Sequence, residues 1–131
     1  MRSPLDMEDV RRRVNDQLGA FLDFQVAALE RISGDLGPLS HAAGDLLAGG
    51  KRLRPAFCYW GWRGAGGDDS EAAIRAATSL ELLQGCALVH DDVMDGSDTR
   101  RGLPAAHRRF EALHSEQDWR GSAPAFGVGA A

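Results

Sequence analysis

Lysine is nearly missing from this chain: of its 15 basic residues 14 are arginine, and Lys51 is the only ammonium. An ammonium is a compact point charge and a guanidinium a planar fork, so one Lys among arginines marks a place where a point charge is useful. Cysteine is scarce as well, and Cys58 and Cys86 give neither a disulfide framework nor a zinc-ligand spacing. Nor is basic charge in excess. The formal net charge is -4, which argues against nucleic acid as the main partner, because phosphate-backbone binding favours a basic chain. No apolar run reaches the roughly 18 residues of a spanning helix and no cleavable leader is evident, so no transmembrane segment is expected and the cytoplasm is the expected compartment. Internal repeats and strand-like alternation are lacking too.

What is present is helical periodicity. Residues 6 to 32 place Val14, Leu18, Phe21, Leu22, Val26 and Leu29 at helical spacing, and residues 39 to 48 form a shorter helix stopped by Gly49-Gly50. Pro55 opens a helix that ends in the glycines after Arg63. Asp69 or Ser70 can cap a long Ala/Leu-rich helix running to Asp95. Gly96 to Gly102 reads as loop, Pro104 to about Leu113 as a short helix, and Trp119 to Gly129 as irregular chain opening into another helix. The fold class expected is all-α.

Chemistry concentrates in two segments. In the first, His90-Asp91-Asp92-Val93-Met94-Asp95 is followed by Gly96-Ser97-Asp98-Thr99-Arg100-Arg101-Gly102. On a helix Asp91 and Asp95 stack one above the other with Asp92 beside them, and like charges so placed repel. They also stand at the helix end where the macrodipole disfavours negative charge, so surface optimisation would have placed cations there. A hard divalent ion such as Mg2+ relieves both problems, since it takes oxygen ligands and bridges carboxylates to substrate phosphates. Arg100 and Arg101 offer planar forks for phosphate oxygens. The preceding run Cys86-Ala87-Leu88-Val89 is apolar and expected to be buried. The second segment is Gly49-Gly50-Lys51-Arg52-Leu53-Arg54-Pro55, where three cations follow two glycines at a helix start, an arrangement suited to an anion.

Other polar groups receive structural readings. His107 and His114 lie seven apart without a third ligand and are expected to pack or face solvent. Asp68-Asp69 sits where a cap is needed. Trp60 and Trp62 point about 200° apart on a helix and serve as core or interface anchors rather than a ligand box.

GGKRLRP, DDVMD and TRRG, in that order and at this spacing, resemble the trans-isoprenyl diphosphate synthases, the polyprenyl synthetase family that includes farnesyl and geranylgeranyl diphosphate synthases. The resemblance covers roughly residues 20 to 131, and the Cys58-to-Gly64 segment looks like the actinobacterial branch. It implies the N-terminal half of an isoprenoid-synthase helical bundle and a head-to-tail condensation of isopentenyl diphosphate with an allylic diphosphate. Lys51, Arg54 and Arg101 would hold isopentenyl diphosphate, with Gln84 helping. Asp91, Asp92 and Asp95 match the first aspartate-rich motif, which binds Mg2+ and through it the allylic diphosphate. Arg100 matches the arginine that contacts that group directly. In the family, positions four and five before the motif limit product length. Here they are Ala87 and Cys86, both small, with Leu83 a turn further, which implies a geranylgeranyl or longer product. A homodimer is implied for the full-length form.

The family continues beyond Ala131 with a second aspartate-rich motif and further lysines, and no comparable groups follow Asp98 here. Residues 1 to 131 are therefore expected to be an incomplete polyprenyl synthetase domain, inactive by itself. The alternative is a non-catalytic paralogue or interaction subunit that associates with a full-length synthase. A terpene cyclase also uses DDxxD but binds no isopentenyl diphosphate and would not need GGKRLRP.

Overall fold

The structure, a computed structural model, describes residues 9 to 131; the first three residues of the helix expected from residue 6 lie outside them. The elements are α1 (Val10–Ile32), a 3-10 turn (Gly34–Leu36), α2 (Gly37–Leu47), α3 (Leu53–Gly64), α4 (Glu71–Asp95), β1 (Thr99–Arg100), β2 (Leu103–Pro104), α5 (Ala106–Glu116) and α6 (Ala123–Ala130). The chain divides into two compact units, one ending at Gln84 and the other Gly85–Ala131, and α4 contributes to both.

In the first unit α1 buries Val10, Val14 and Leu18, a stripe at four-residue spacing. Val10 and Val14 join Tyr59 of α3 and Ile74 and Ala77 of α4 in a closed core, with Trp60 and Ala73 packed against it. Each large side chain so buried contributes about 1.5–3 kcal/mol. Tyr59, the only tyrosine in the sequence, needs a partner for its hydroxyl in such a place. It donates to Asp69 at 3.0 Å, and Arg63 donates to the same hydroxyl. Asp69 also accepts from Arg13 at 2.8 Å, a bond that holds its carboxyl below the usual carboxylate range. Of the two candidate caps for α4 it is Ser70 that serves, accepting from the Ala73 amide. α3 begins two residues earlier than expected, with Arg52 as its N-cap. Pro55 then sits in the first turn, where a missing N–H costs nothing.

α4 is long and apolar enough, by length and composition, to cross a membrane. Its Ile74 and Ala77 lie in the core and its Glu81 is paired with Arg52, the placement of a bundle helix.

In the second unit α4 ends in a Schellman motif: Gly96 N donates to the Val93 carbonyl and Ser97 N to the Asp92 carbonyl. The following segment is not the featureless loop that the composition suggested. Thr99 pairs with Pro104 and Arg100 with Leu103 in an antiparallel hairpin, closed by Arg101 at φ 55 and Gly102 at φ 80. Two consecutive positive φ values are the pattern of a type I′ turn, which matches strand twist. Pro104 therefore belongs to β2, and the short helix starts at Ala106. α6 is capped by Ser122 and packs on α5 so closely that a Cβ on Gly127 would stand 2.4 Å from the His107 carbonyl. His107 and His114 are both buried, as packing residues. The His114 ring meets Trp119 and Phe126, at centroid distances of 5.9 and 5.3 Å.

Gly127→Ala is expected to destabilise this helix pair by about 1–3 kcal/mol, since the obstacle is backbone that cannot swing aside. Thermal melting together with loss of the Trp119–Phe126 ring contacts by NMR would measure it.

Candidate diphosphate and metal site

The loop between α2 and α3 gives its three cations different roles. Arg52 is 6% exposed, and its guanidinium is fully engaged by protein. Nε donates to Asn15 Oδ1 at 2.8 Å, Nη1 to Glu81 Oε2 at 2.6 Å and Nη2 to the Leu47 carbonyl at 2.6 Å. Lys51 and Arg54 are exposed and make no ion pair or hydrogen bond among the described residues. They stand at the start of α3, whose opening N–H groups lack intrahelical partners. Two unpaired cations at a helix N-terminus make a place for an anion. Gln84, on α4 three residues beyond Glu81, is half-buried, and its side chain makes no hydrogen bond among the described residues.

The end of α4 divides its acids in a similar way. Asp91 and Asp95 are exposed and stacked at four-residue spacing. Asp92, about 100° round the helix from Asp91 and about 60° from Asp95, is 3% exposed. Because the Schellman turn and hairpin fold the chain back, Arg100 reaches it and donates from Nε at 2.7 Å and from Nη2 at 2.8 Å. This bidentate bond raises the Arg100 guanidinium above its ordinary value against the opposing effect of burial, with the charges of Asp92, Asp91 and Asp95 adding to it. The three carboxylates thus do not converge. Among the described residues no group of three His, Cys, Asp or Glu side chains is placed to hold a metal ion. The donor chemistry nevertheless fits Mg2+, which commonly takes one or two carboxylates and completes its shell with water and phosphate oxygens. Asp91 and Asp95 are the pair available for it.

Arg101 projects from the hairpin tip, exposed. Cys86 and Ala87, expected to be buried, are exposed too, and share the face of α4 that carries His90, Asp91, Met94 and Asp95. Cys86 Sγ lies 3.6 Å from His90 Nδ1. The residues that sequence reasoning missed are Asn15 and Glu81. A lone acid amid the Ala/Leu face of α4 was the available signal for Glu81; nothing marked Asn15.

The all-α scaffold thus carries two unpaired cations at the start of α3 and, in the other unit, two exposed carboxylates at the end of α4. Residues 38–115 match the family profile described as polyprenyl synthetase, and the chain belongs to that family. It is 44% identical over 97 residues to heptaprenyl diphosphate synthase component 2 of Geobacillus stearothermophilus, covering 70% of this chain and 30% of that protein. It is 37% identical over 106 residues to the geranylgeranyl diphosphate synthase of Saccharolobus solfataricus, covering 81% of this chain and 29% of that one. The crystal structure of geranylgeranyl pyrophosphate synthase from Corynebacterium glutamicum, complexed with isoprenyl diphosphate and magnesium, superposes with a TM-score of 0.82 at 36% identity, covering 95% of this chain and 37% of that one. The fold is therefore the all-α isoprenoid-synthase fold, and the chain spans about a third of the length of these relatives.

Breaking the Asp92–Arg100 pair is expected to cost about 2 kcal/mol, less than a fully buried pair because Arg100 keeps 28% of its side-chain exposure. In a double-mutant cycle, Asp92→Asn and Arg100→Gln should each lower the denaturation midpoint, and the double variant should be no worse than either single one. Additive losses would show that the two side chains act separately.

Proposed function

We propose that this chain supplies the isopentenyl diphosphate corner and the first carboxylate motif of a prenyl diphosphate synthase, which condenses isopentenyl diphosphate with an allylic diphosphate in the cytoplasm, as a homodimer when complete. The observation that carries the reading is the sorting of charges: Lys51 and Arg54 are left free while Arg52 is consumed by structure, and the family membership supports a diphosphate as the anion. Lys51, Arg54, Arg101 and Gln84 hold the isopentenyl diphosphate, so its double bond is presented with little orientational freedom left to lose. Arg100, kept in place by Asp92, stands by the allylic diphosphate as charge develops on the departing oxygens. Mg2+ held by Asp91 and Asp95 would stabilise that charge as a Lewis acid, with Asp92 serving through Arg100. The small Ala87 and Cys86 leave the face below the acids open, which favours a geranylgeranyl or longer product.

Isothermal titration with isopentenyl diphosphate tests the corner. Lys51→Ala should weaken binding by about tenfold or more, the loss expected for a charge-assisted contact, and Arg54→Ala likewise. In an enzyme that carries this segment, Asp91→Ala should slow magnesium-dependent ionisation by orders of magnitude. Binding unchanged by Lys51→Ala would remove the corner from the site.

Product length is tested separately. Ala87→Phe puts a ring one helical turn, about 5.4 Å, from Asp91 and should shorten the product toward farnesyl diphosphate in a synthase carrying this segment. An unchanged product distribution would place the wall elsewhere.

A second reading, an interaction subunit without turnover of its own, is favoured by the large apolar side chains left in solvent: Met94 is 83% exposed, Phe57 76% and Ile32 75%. One relative is itself named as a component of a heptaprenyl diphosphate synthase. Turnover by the chain alone would exclude this reading.

A further inference from the structure

We propose that Arg52, which faces no ligand, is a positioning residue that holds the anion corner in its binding shape, with Glu81 as its principal anchor. The proposal rests on the reading of Lys51 and Arg54 as diphosphate ligands, and it concerns why they stand where they do.

Arg52 lies between them and takes a left-handed backbone, φ 54 and ψ 37, as the N-cap of α3 without any side-chain capping bond. A residue with a Cβ adopts that conformation at a cost, and it persists only where the surroundings over-determine it. Here they do. The three donating nitrogens are bound at 2.6 to 2.8 Å by acceptors from three other places: Asn15 of α1, the Leu47 carbonyl at the end of α2 and Glu81 of α4. The Arg52 carbonyl in turn accepts from Ala56, so the strained residue also sets the first turn of α3 that carries Arg54. Its guanidinium nestles under the loop: a Cβ on Gly50 would lie 3.6 Å from Nη1.

Two consequences follow from the chemistry. The guanidinium meets the three acceptors from three different nitrogens, whereas a lysine would have to reach all of them from a single nitrogen and would lose part of this set. Glu81 and Gln84 are one turn apart on α4 and share a face, so the same ion pair that fixes the loop also sets the distance between the Lys51–Arg54 corner and Gln84. Supporting groups of this kind govern how well direct ligands are aimed.

The test is titration of the chain with isopentenyl diphosphate by calorimetry, with thermal melting by circular dichroism on the same samples, for the parent, Lys51→Ala, Glu81→Gln and Arg52→Lys. All titrations run well below each melting midpoint, where helicity equals the parent's. Glu81→Gln keeps the shape but not the charge and should weaken binding about tenfold, the usual size of a lost supporting contact. Arg52→Lys should not restore the parent affinity although it keeps the charge. A lowered melting midpoint with unchanged affinity in Glu81→Gln would overturn the positioning role and leave Arg52 a stabiliser only. Failure of Lys51→Ala to alter binding, or no binding by the parent, would instead sink the corner itself and this proposal with it. Where Glu81→Gln does not fold, Asn15→Ala removes one acceptor at the exposed rim; a several-fold loss is expected, and parent-like affinity overturns the role.

Discussion

One guanidinium fixes how the helices of the first unit meet around the loop between α2 and α3. Arg52 reaches α1, α2 and α4 from the start of α3, and both it and Glu81 are out of water, with side-chain exposures of 5% and 11%. Removing one partner of such a pair leaves a buried charge uncompensated, at about 3–5 kcal/mol, whereas the intact pair contributes little net stability over apolar packing. Its value is specificity of arrangement. An apolar contact at the same place would tolerate sliding of the helices, while three short directional bonds tolerate almost none.

The same logic runs through the other arginines. Arg13 bridges Asp69 and Glu71, Arg100 closes on Asp92, and Arg108 joins Asp98 to Glu111. Each is a fork matched to one or two carboxylates. Lys51, which has no fork, is left out of this network, and a freely rotating ammonium can follow a ligand's oxygens where a committed guanidinium cannot. Arginines thus carry the buried and bridging ion pairs, while Lys51 stays outside them together with Arg54 and Arg101.

Much of this was legible in the sequence, and the failures have definite causes. Helix periodicity located α1, because apolar positions such as Val14 and Leu18 repeat at the helical interval regardless of tertiary detail; proline, glycine and cap signals located α3, α4 and α5 to within a few residues, and α6 was read only as irregular chain opening into a helix. The hairpin at Thr99–Pro104 escaped because its strands are two residues long, too short for alternation to register, and Arg101 occupies a left-handed position usually given to Asn or Gly. The family resemblance singled out Lys51 and Arg54 over Arg52, but the residues themselves did not show which charge is free. Arg52 and Arg54 are indistinguishable by composition, as are Asp91 and Asp92; their fates depend on Glu81, Asn15 and Arg100, partners 8 to 37 residues away. Burial of Cys86 and Ala87 was misread for a related reason: an apolar run predicts a covering partner, and among the described residues that face of α4 has none.

The Lys51–Arg54 corner and the Asp91–Asp95 pair consequently differ in what organises them. The Lys51–Arg54 corner is shaped before any ligand arrives, since the bonds that set it are all within the protein, and its binding need not expend free energy on ordering the loop. The Asp91–Asp95 pair makes no ion pair of its own among the described residues: the nearby Arg100 charge acts on both acids, but its donors are committed to Asp92. Two carboxylates stacked at a helix C-terminus repel each other and the macrodipole alike, so their own geometry becomes favourable only when a cation joins them. Affinity for the metal should therefore rise steeply when a diphosphate supplies the remaining oxygens, while the isopentenyl corner should bind its anion with little dependence on magnesium. The difference arises from where the arginines are placed: Arg52 organises its neighbours from beneath, and Arg100 stabilises Asp92 but leaves the other two acids to the ligand.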